Sequence, residues 1–239
     1  MTRSRSIALT RRSERLEHGN ADRTVRAAHL LTFLCSCFLA AVLIAGGCAG
    51  GPSHKEQYFI LEAVREDNPA RPASDGSLQV HRFSIDTAFA TKNLVYRLGE
   101  FKYEEDYYRQ FLISPGTMIT EKTRVWLADS GLFNTVLPVG SRIVPTYTLE
   151  GNITALYGDF LDESAPTAVM EIRFFLVKIA EGQESVVFAR TYRAASAVPS
   201  RTTDAFVNAL NQSLVEILTC LEADLQKIFV GKPIPPGNT

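Results

Sequence analysis

The chain has 239 residues and a mass of 26.4 kDa, the size of one sizeable domain. Its 46% hydrophobic and 21% charged content supports a packed core and excludes a disordered chain, and a net charge of -1 argues against a general nucleic-acid binder. The charge is uneven: residues 1–47 hold seven Arg against three acidic groups, leaving 18 basic and 23 acidic groups in residues 48–239.

The basic head introduces an apolar run. From Ala27 to Gly47 the only polar side chains are His29, Thr32 and Ser36, and Arg23 and Arg26 stand just before it. Positive charge stays on the cytoplasmic side, so the sequence after the run faces outward. The run of 21 residues is long enough to span a bilayer. It ends Ala45-Gly46-Gly47-Cys48, which resembles the lipobox of bacterial lipoproteins, although Ala45 stands where a Leu is usual. We expect residues 1–47 to be a signal peptide and Cys48 to carry the lipid; a retained anchor helix is the competing interpretation. Ala49 follows the Cys where an Asp would mark inner-membrane retention in enteric bacteria, so the expected location is the periplasmic side of the outer membrane. Cleavage would leave only Cys48 and Cys220, so no internal disulfide is expected. Cys220 falls in an apolar helical pattern and is expected to be a small buried hydrophobe.

Residues 48–57 are small and polar and read as a tether; residues 231–239, rich in Pro and Gly, read as a tail. Between them, 58–230 forms one continuous body. Tyr58–Val64 is a short apolar strand, and Leu78–Ile85 a second strand of imperfect period two. Leu94–Leu98 and Phe101–Tyr103 flank Gly99 as a tight hairpin; Asp106–Leu112 is ambiguous. Ser114-Pro115 opens a helix with a favoured cap and first residue, and Gly131 stops it. Ile119, Thr123, Trp126 and Leu127 form its inner face. Phe133–Val139 returns as a strand. Thr146–Tyr157 alternates strictly, with Tyr147, Leu149, Gly151, Ile153, Ala155 and Tyr157 on one face. Ala168–Val177 and Val186–Arg193 read as a hairpin around Ala180–Glu184. Finally Phe206, Leu210, Leu214, Ile217, Leu221, Leu225 and Ile228 make one stripe of a long helix. This order predicts a single α/β domain with a mixed sheet, largely antiparallel in its second half, and two main helices.

Reactive chemistry is sparse. Only His81 lies within the body; there is no paired-Cys metal spacing, no HExxH, no phosphate-cradling loop and no GxSxG elbow. We therefore expect no catalytic residue, metal or cofactor, and read the chain as a binding or assembly protein rather than an enzyme. The densest aromatic and charged stretch is Tyr96-Arg97 together with Tyr103-Glu104-Glu105-Asp106-Tyr107-Tyr108. A strand-to-helix junction with packed Tyr rings accounts for it. A partner-docking patch accounts for it too, since Tyr and Arg are favoured at interface hot spots.

These residues meet a known family. The lipobox, then Tyr58-Phe59-Ile60-Leu61, Leu94-Val95-Tyr96-Arg97, Tyr103, Tyr107, Phe111, Pro115 and Leu127…Ser130-Gly131-Leu132-Phe133…Val136 resemble the ABC-type transport auxiliary lipoproteins, including the paraquat-inducible protein C type. The family often carries Trp near Phe111, which this chain lacks. The resemblance implies a three-layer α/β domain. It further implies a non-catalytic partner of an MCE (mammalian cell entry) domain protein, a permease and an ATPase that move lipids between the inner and outer membranes of Gram-negative cells. An envelope lipoprotein serving another assembly and a lipid-tethered enzyme remain as alternatives.

Cys48→Ser should leave an unlipidated precursor. Mass spectrometry of the wild-type N-terminal peptide checks this: an unmodified Cys48 still joined to Gly47 would favour the retained anchor.

Overall fold

The computed structural model describes residues 31–33, 35–36, 55–66 and 74–230. Cys48, most of the expected signal and tether, and the tail from 231 lie outside the described residues. The chain divides into two units, 1–54 and 55–239. The described residues of the first are helical. No helix among the described residues is long and apolar enough to cross a membrane.

The second unit is an α/β domain with a nine-stranded mixed sheet. Its elements are β1 (Gln57–Phe59), β2 (Ser74–Val80), β3 (Ser84–Ile85), a 3-10 turn at Thr87–Phe89, β4 (Asn93–Arg97), β5 (Tyr103–Phe111), α1 (Pro115–Ser130), β6 (Phe133–Leu137), β7 (Tyr147–Asp159), β8 (Thr167–Ala180), β9 (Gln183–Ala197) and α2 (Thr203–Val230). As expected, the second half is antiparallel: β7, β8 and β9 pair in sequence. The β8–β9 turn is tighter than the expected loop. It needs only Glu181 and Gly182, both at positive φ (54° and 74°), as a two-residue hairpin turn demands.

β7 organises the rest. One edge is paired with β8 along its whole length. The other meets three parallel segments in turn: β2 at Tyr147–Leu149, β3 at Asn152–Ile153 and β4 at Gly158–Asp159. β6 then pairs with β2, while β5 and β1 extend the sheet beyond β4. The strict alternation expected along β7 breaks at Thr154, where the register with β8 shifts between Ile153 and Ala155. Leu149 and Ile153 face the same side as Leu176 and Ile172, but after the shift it is Leu156 and Gly158 that oppose Met170 and Ala168 on that side. Tyr157 therefore lies on the face opposite to Leu149, not beside it.

Two predicted strands are shorter than expected. Of the Tyr58–Val64 run only Tyr58 and Phe59 join the ladder, in β1. Beyond it Leu61 is fully buried, and Glu62 N donates to Asn211 Oδ1 on α2, so the chain turns from sheet to helix layer. Leu78–Ile85 splits into β2 and β3 because Phe83 N leaves the sheet to donate to Thr120 Oγ1 on α1 at 2.9 Å. The Phe83 ring lies over Gly151, where any Cβ would sit 2.6 Å from it.

α1 has the expected bounds, and Gly131 adopts the left-handed conformation (φ 68°) that ends it. Ser114 caps through its carbonyl, which accepts from Thr117 N and Met118 N; its hydroxyl makes no cap bond. α2 covers β8 and β9 with the predicted stripe, in which Leu210, Leu214, Leu221 and Leu225 are fully buried. Ser213 Oγ donates to the Ala168 carbonyl at 3.0 Å, holding the helix to the sheet. Glu222 ties three segments: it accepts from Trp126 Nε1 on α1 (2.8 Å) and takes a two-point bond from Arg65 (2.9 and 2.8 Å). Cys220 corrects the expectation of burial. It sits on the exposed side of α2, one position before the buried Leu221, because a one-residue step turns the helix by about 100°.

Leu214→Asp places an unpartnered carboxylate in this core. It should destabilise the domain by at least ~3 kcal/mol in denaturant unfolding. A near-wild-type midpoint would show that the stripe is not core.

Candidate functional site

The stretch singled out in the sequence folds as the β4–β5 hairpin, not as a strand-to-helix junction. Tyr96 opposes Glu104 and Arg97 opposes Tyr103. The turn is wider than a tight bend at Gly99: Leu98 N donates to Lys102 O at 2.9 Å across three intervening residues. Alternation along a strand then sends the candidate residues to two faces.

Arg97 and Tyr103 share the face that carries Tyr157. The Tyr103 ring meets Tyr157 edge-on at 5.5 Å, and Phe89 stacks on Tyr157 at 5.7 Å. Arg97 Nη1 pairs with Asp159 Oδ2 at 3.0 Å, while its Nε is buried with no partner. Arg193 donates to the Tyr157 hydroxyl and pairs with Glu171. Burial and the adjacent Tyr157 raise the Tyr103 pKa. This cluster is internally neutralised, two guanidinium groups against two carboxylates.

Tyr96 faces the other way. Its ring meets Phe160 at 5.6 Å and Phe206, in the first turns of α2, at 5.2 Å. All three converge over Gly158, where a Cβ would lie 2.8 to 3.0 Å from each ring. Burial pushes the Tyr96 phenol up to about 12; Asp106 adds to the shift and Arg109 opposes it. The phenol therefore stays protonated at physiological pH. These rings floor a cleft of about 780 Å³ between β1 and the start of α2. Phe59, Tyr58 and Leu98 wall it, and Arg109, Arg201 and Asp204 stand on its rim.

The remaining candidates lie on a bulge. Between the pairs Asn93–Gln110 and Leu94–Asp106, β5 carries three extra residues, Tyr107, Tyr108 and Arg109. Asp106 holds them: Oδ1 accepts from Tyr108 N and Arg109 N, and Oδ2 from Arg109 Nη1 at 2.9 Å. Tyr107 is thereby 71% exposed and Tyr108 49%. Glu104 and Glu105 are exposed; Glu104 pairs with Lys102, and Glu105 accepts from Asn93 and Thr91. The eight candidates thus divide into an internal cluster, one floor residue and a protruding edge. Sequence inspection missed Arg109, Phe160, Arg201 and Asp204 as members of the cleft. No periodicity marks them, since three elements far apart in the chain bring them together. His81, between β2 and β3, is exposed with Nδ1 3.8 Å from Glu150. Among the described residues no three His, Cys, Asp or Glu side chains are grouped to hold a metal ion.

Residues 59–219 match the model of the ABC-type transport auxiliary lipoprotein component family. The chain belongs to this family. As an auxiliary lipoprotein it is associated with an ABC transport system and with the cell envelope. None of the curated proteins matches it. Among solved structures, a Xanthomonas campestris protein of the DUF330 family is similar, with 21% identity over 72% of this chain and 95% of its own, at a TM-score of 0.63. An uncharacterised protein with 14% identity covers 72% of this chain and 99% of its own, at 0.53. At these identities the likeness establishes the auxiliary lipoprotein's fold alone.

Gly158→Val should force the three rings apart and cost about 1–3 kcal/mol by overpacking, with Gly158→Ala losing less. Denaturant midpoints of the two variants check this; an unchanged midpoint for the valine variant would show that the rings shift freely.

Proposed function

We propose that this auxiliary lipoprotein is a non-catalytic component of an MCE-type ABC transport system that moves lipids between the inner and outer membranes. Cys48 anchors it through lipid on the periplasmic face of the outer membrane, and the folded unit contacts an MCE-domain protein served by a permease and an ATPase. The observation that carries this is the family match across almost the whole folded unit, 59–219. The site geometry supports recognition: its polar groups pair with one another, and its exposed features are rings and charges at a sheet edge.

The docking edge in this proposal is the hairpin and its bulge. Tyr107 and Tyr108 project from it, and Glu104 and Glu105 add negative charge that steers a basic partner. Arg97, Tyr103 and Tyr96 shape the hairpin from beneath, and Asp106 sets the bulge.

Affinity purification of the full chain from its native cells should recover an MCE-domain protein. Glu104→Lys with Tyr107→Ala should leave unfolding unchanged, since both side chains are exposed, and should reduce that recovery at least tenfold. Wild-type recovery by a folded double variant would remove this edge from the contact. Absence of any MCE protein in the wild-type pull-down would overturn the proposed system.

A further inference from the structure

The cleft floored by Tyr96, Phe160 and Phe206 adjoins the docking edge, with which it shares Tyr96 and Arg109. Its volume of about 780 Å³ falls within the ~300–1,000 Å³ of small-molecule sites. Gly158 is the residue that makes its floor possible, because any side chain there would occupy the space where the rings meet. The floor is aromatic, Gln57, Thr202 and Thr203 add polar groups to the lining, and solvent reaches the walls.

The rim is charged. Arg109 uses Nη1 on Asp106, and Arg201 uses Nη2 on Glu163, at 2.9 and 2.6 Å. A guanidinium carries five N–H donors in a planar fork, so each arginine keeps donors for a second anion. Asp204 is the one carboxylate of the lining, and it lies in the first turn of α2, where the helix N-terminus partners it. Counting the paired Asp106 and Glu163, the surroundings hold both signs, with the two arginines at the mouth. A cleft with an aromatic floor and guanidinium donors at its mouth suits a molecule that is greasy along its length and anionic at one end. A peptide strand is a poorer fit, since the adjacent edge strand β1 offers only three residues for pairing.

We propose that this cleft binds an acyl chain bearing a carboxylate or phosphate head, with the chain over Tyr96, Phe160 and Phe206 and the head between Arg109 and Arg201. This deepens the transport role by giving the auxiliary protein a lipid-class ligand of its own. It rests on that role only for its biological setting, because the cleft is argued from its lining.

The test uses the full chain freed of detergent and cis-parinaric acid, whose fluorescence rises in an apolar site. Two variants are compared with wild type: Arg109→Glu with Arg201→Glu, and Leu98→Trp, which fills the cleft from a half-exposed wall position. Comparison with variants cancels any uptake by the apolar run at 27–47. Both should fold as wild type by thermal unfolding and should bind the probe at least tenfold more weakly. Oleate and lysophosphatidylglycerol should displace the probe from wild type, and the better of the two identifies a carboxylate or phosphate head. Uncharged monoolein should be at least tenfold poorer. Equal affinity in wild type and both folded variants would overturn the site. Equal displacement by monoolein would overturn the anionic head. Arg201→Glu alone, at a residue outside the docking edge, should weaken probe binding and still recover the MCE protein, so failure of the cleft and failure of the transport role give separate results.

Discussion

The fold depends on one constraint: β7 must satisfy the backbone groups of thirteen residues on both edges while burying most of both faces. β8 serves one edge along its length, with a single register shift at Thr154. No single strand serves the other; β2, β3 and β4 do so in turn, and the chain leaves the ladder between them. Phe83 leaves the sheet for α1 between two of these contacts, and the 3-10 turn at Thr87–Phe89 lies between the next two. β2, β3 and β4 thus share one ladder along this edge of β7.

The shift at Thr154 carries this constraint into the site. It exchanges the faces of the last five residues of β7 relative to the first seven. Gly158 then faces the rings of Tyr96, Phe160 and Phe206, and Tyr157 faces Tyr103 and Phe89 on the opposite side. Thr154 itself donates to Glu171 at 2.6 Å, so the irregular residue is tied to the neighbouring strand. Without the shift, a tyrosine would occupy the place where the cleft has its glycine.

Charge follows the same division. On the Tyr157 face, Arg97, Asp159, Arg193 and Glu171 neutralise one another around tyrosine hydroxyls. Such a network orients the hairpin against the end of β7 and offers little to a partner. At the β5 bulge Asp106 is taken up by the backbone and Arg109, while Glu104, Glu105, Tyr107 and Tyr108 stay exposed. These groups stay unburied because the strand periodicity that packs their neighbours stops at the bulge.

Much was legible in the residues themselves. The stripe of α2, the bounds of α1, the β8–β9 hairpin and the mixed order of elements all follow from local rules: a period of 3.6, Pro at the first helical turn, Gly at a left-handed stop, and a Glu-Gly turn between alternating strands. The family resemblance rested on the same positions. What the residues alone left undecided was register. A strand's alternation says which side chains share a face only while the pairing is unbroken, and a one-residue shift such as that at Thr154 costs too little to mark the composition. The splitting of Leu78–Ile85 was likewise decided by a partner distant in the chain, Thr120 on α1. The cleft is the clearest case, since Phe59, Tyr96, Gly158 and Phe206 meet only when β1, β4, β7 and α2 are packed together. The sequence determined which elements form; tertiary pairing, through non-local hydrogen bonds, decided which of their faces meet.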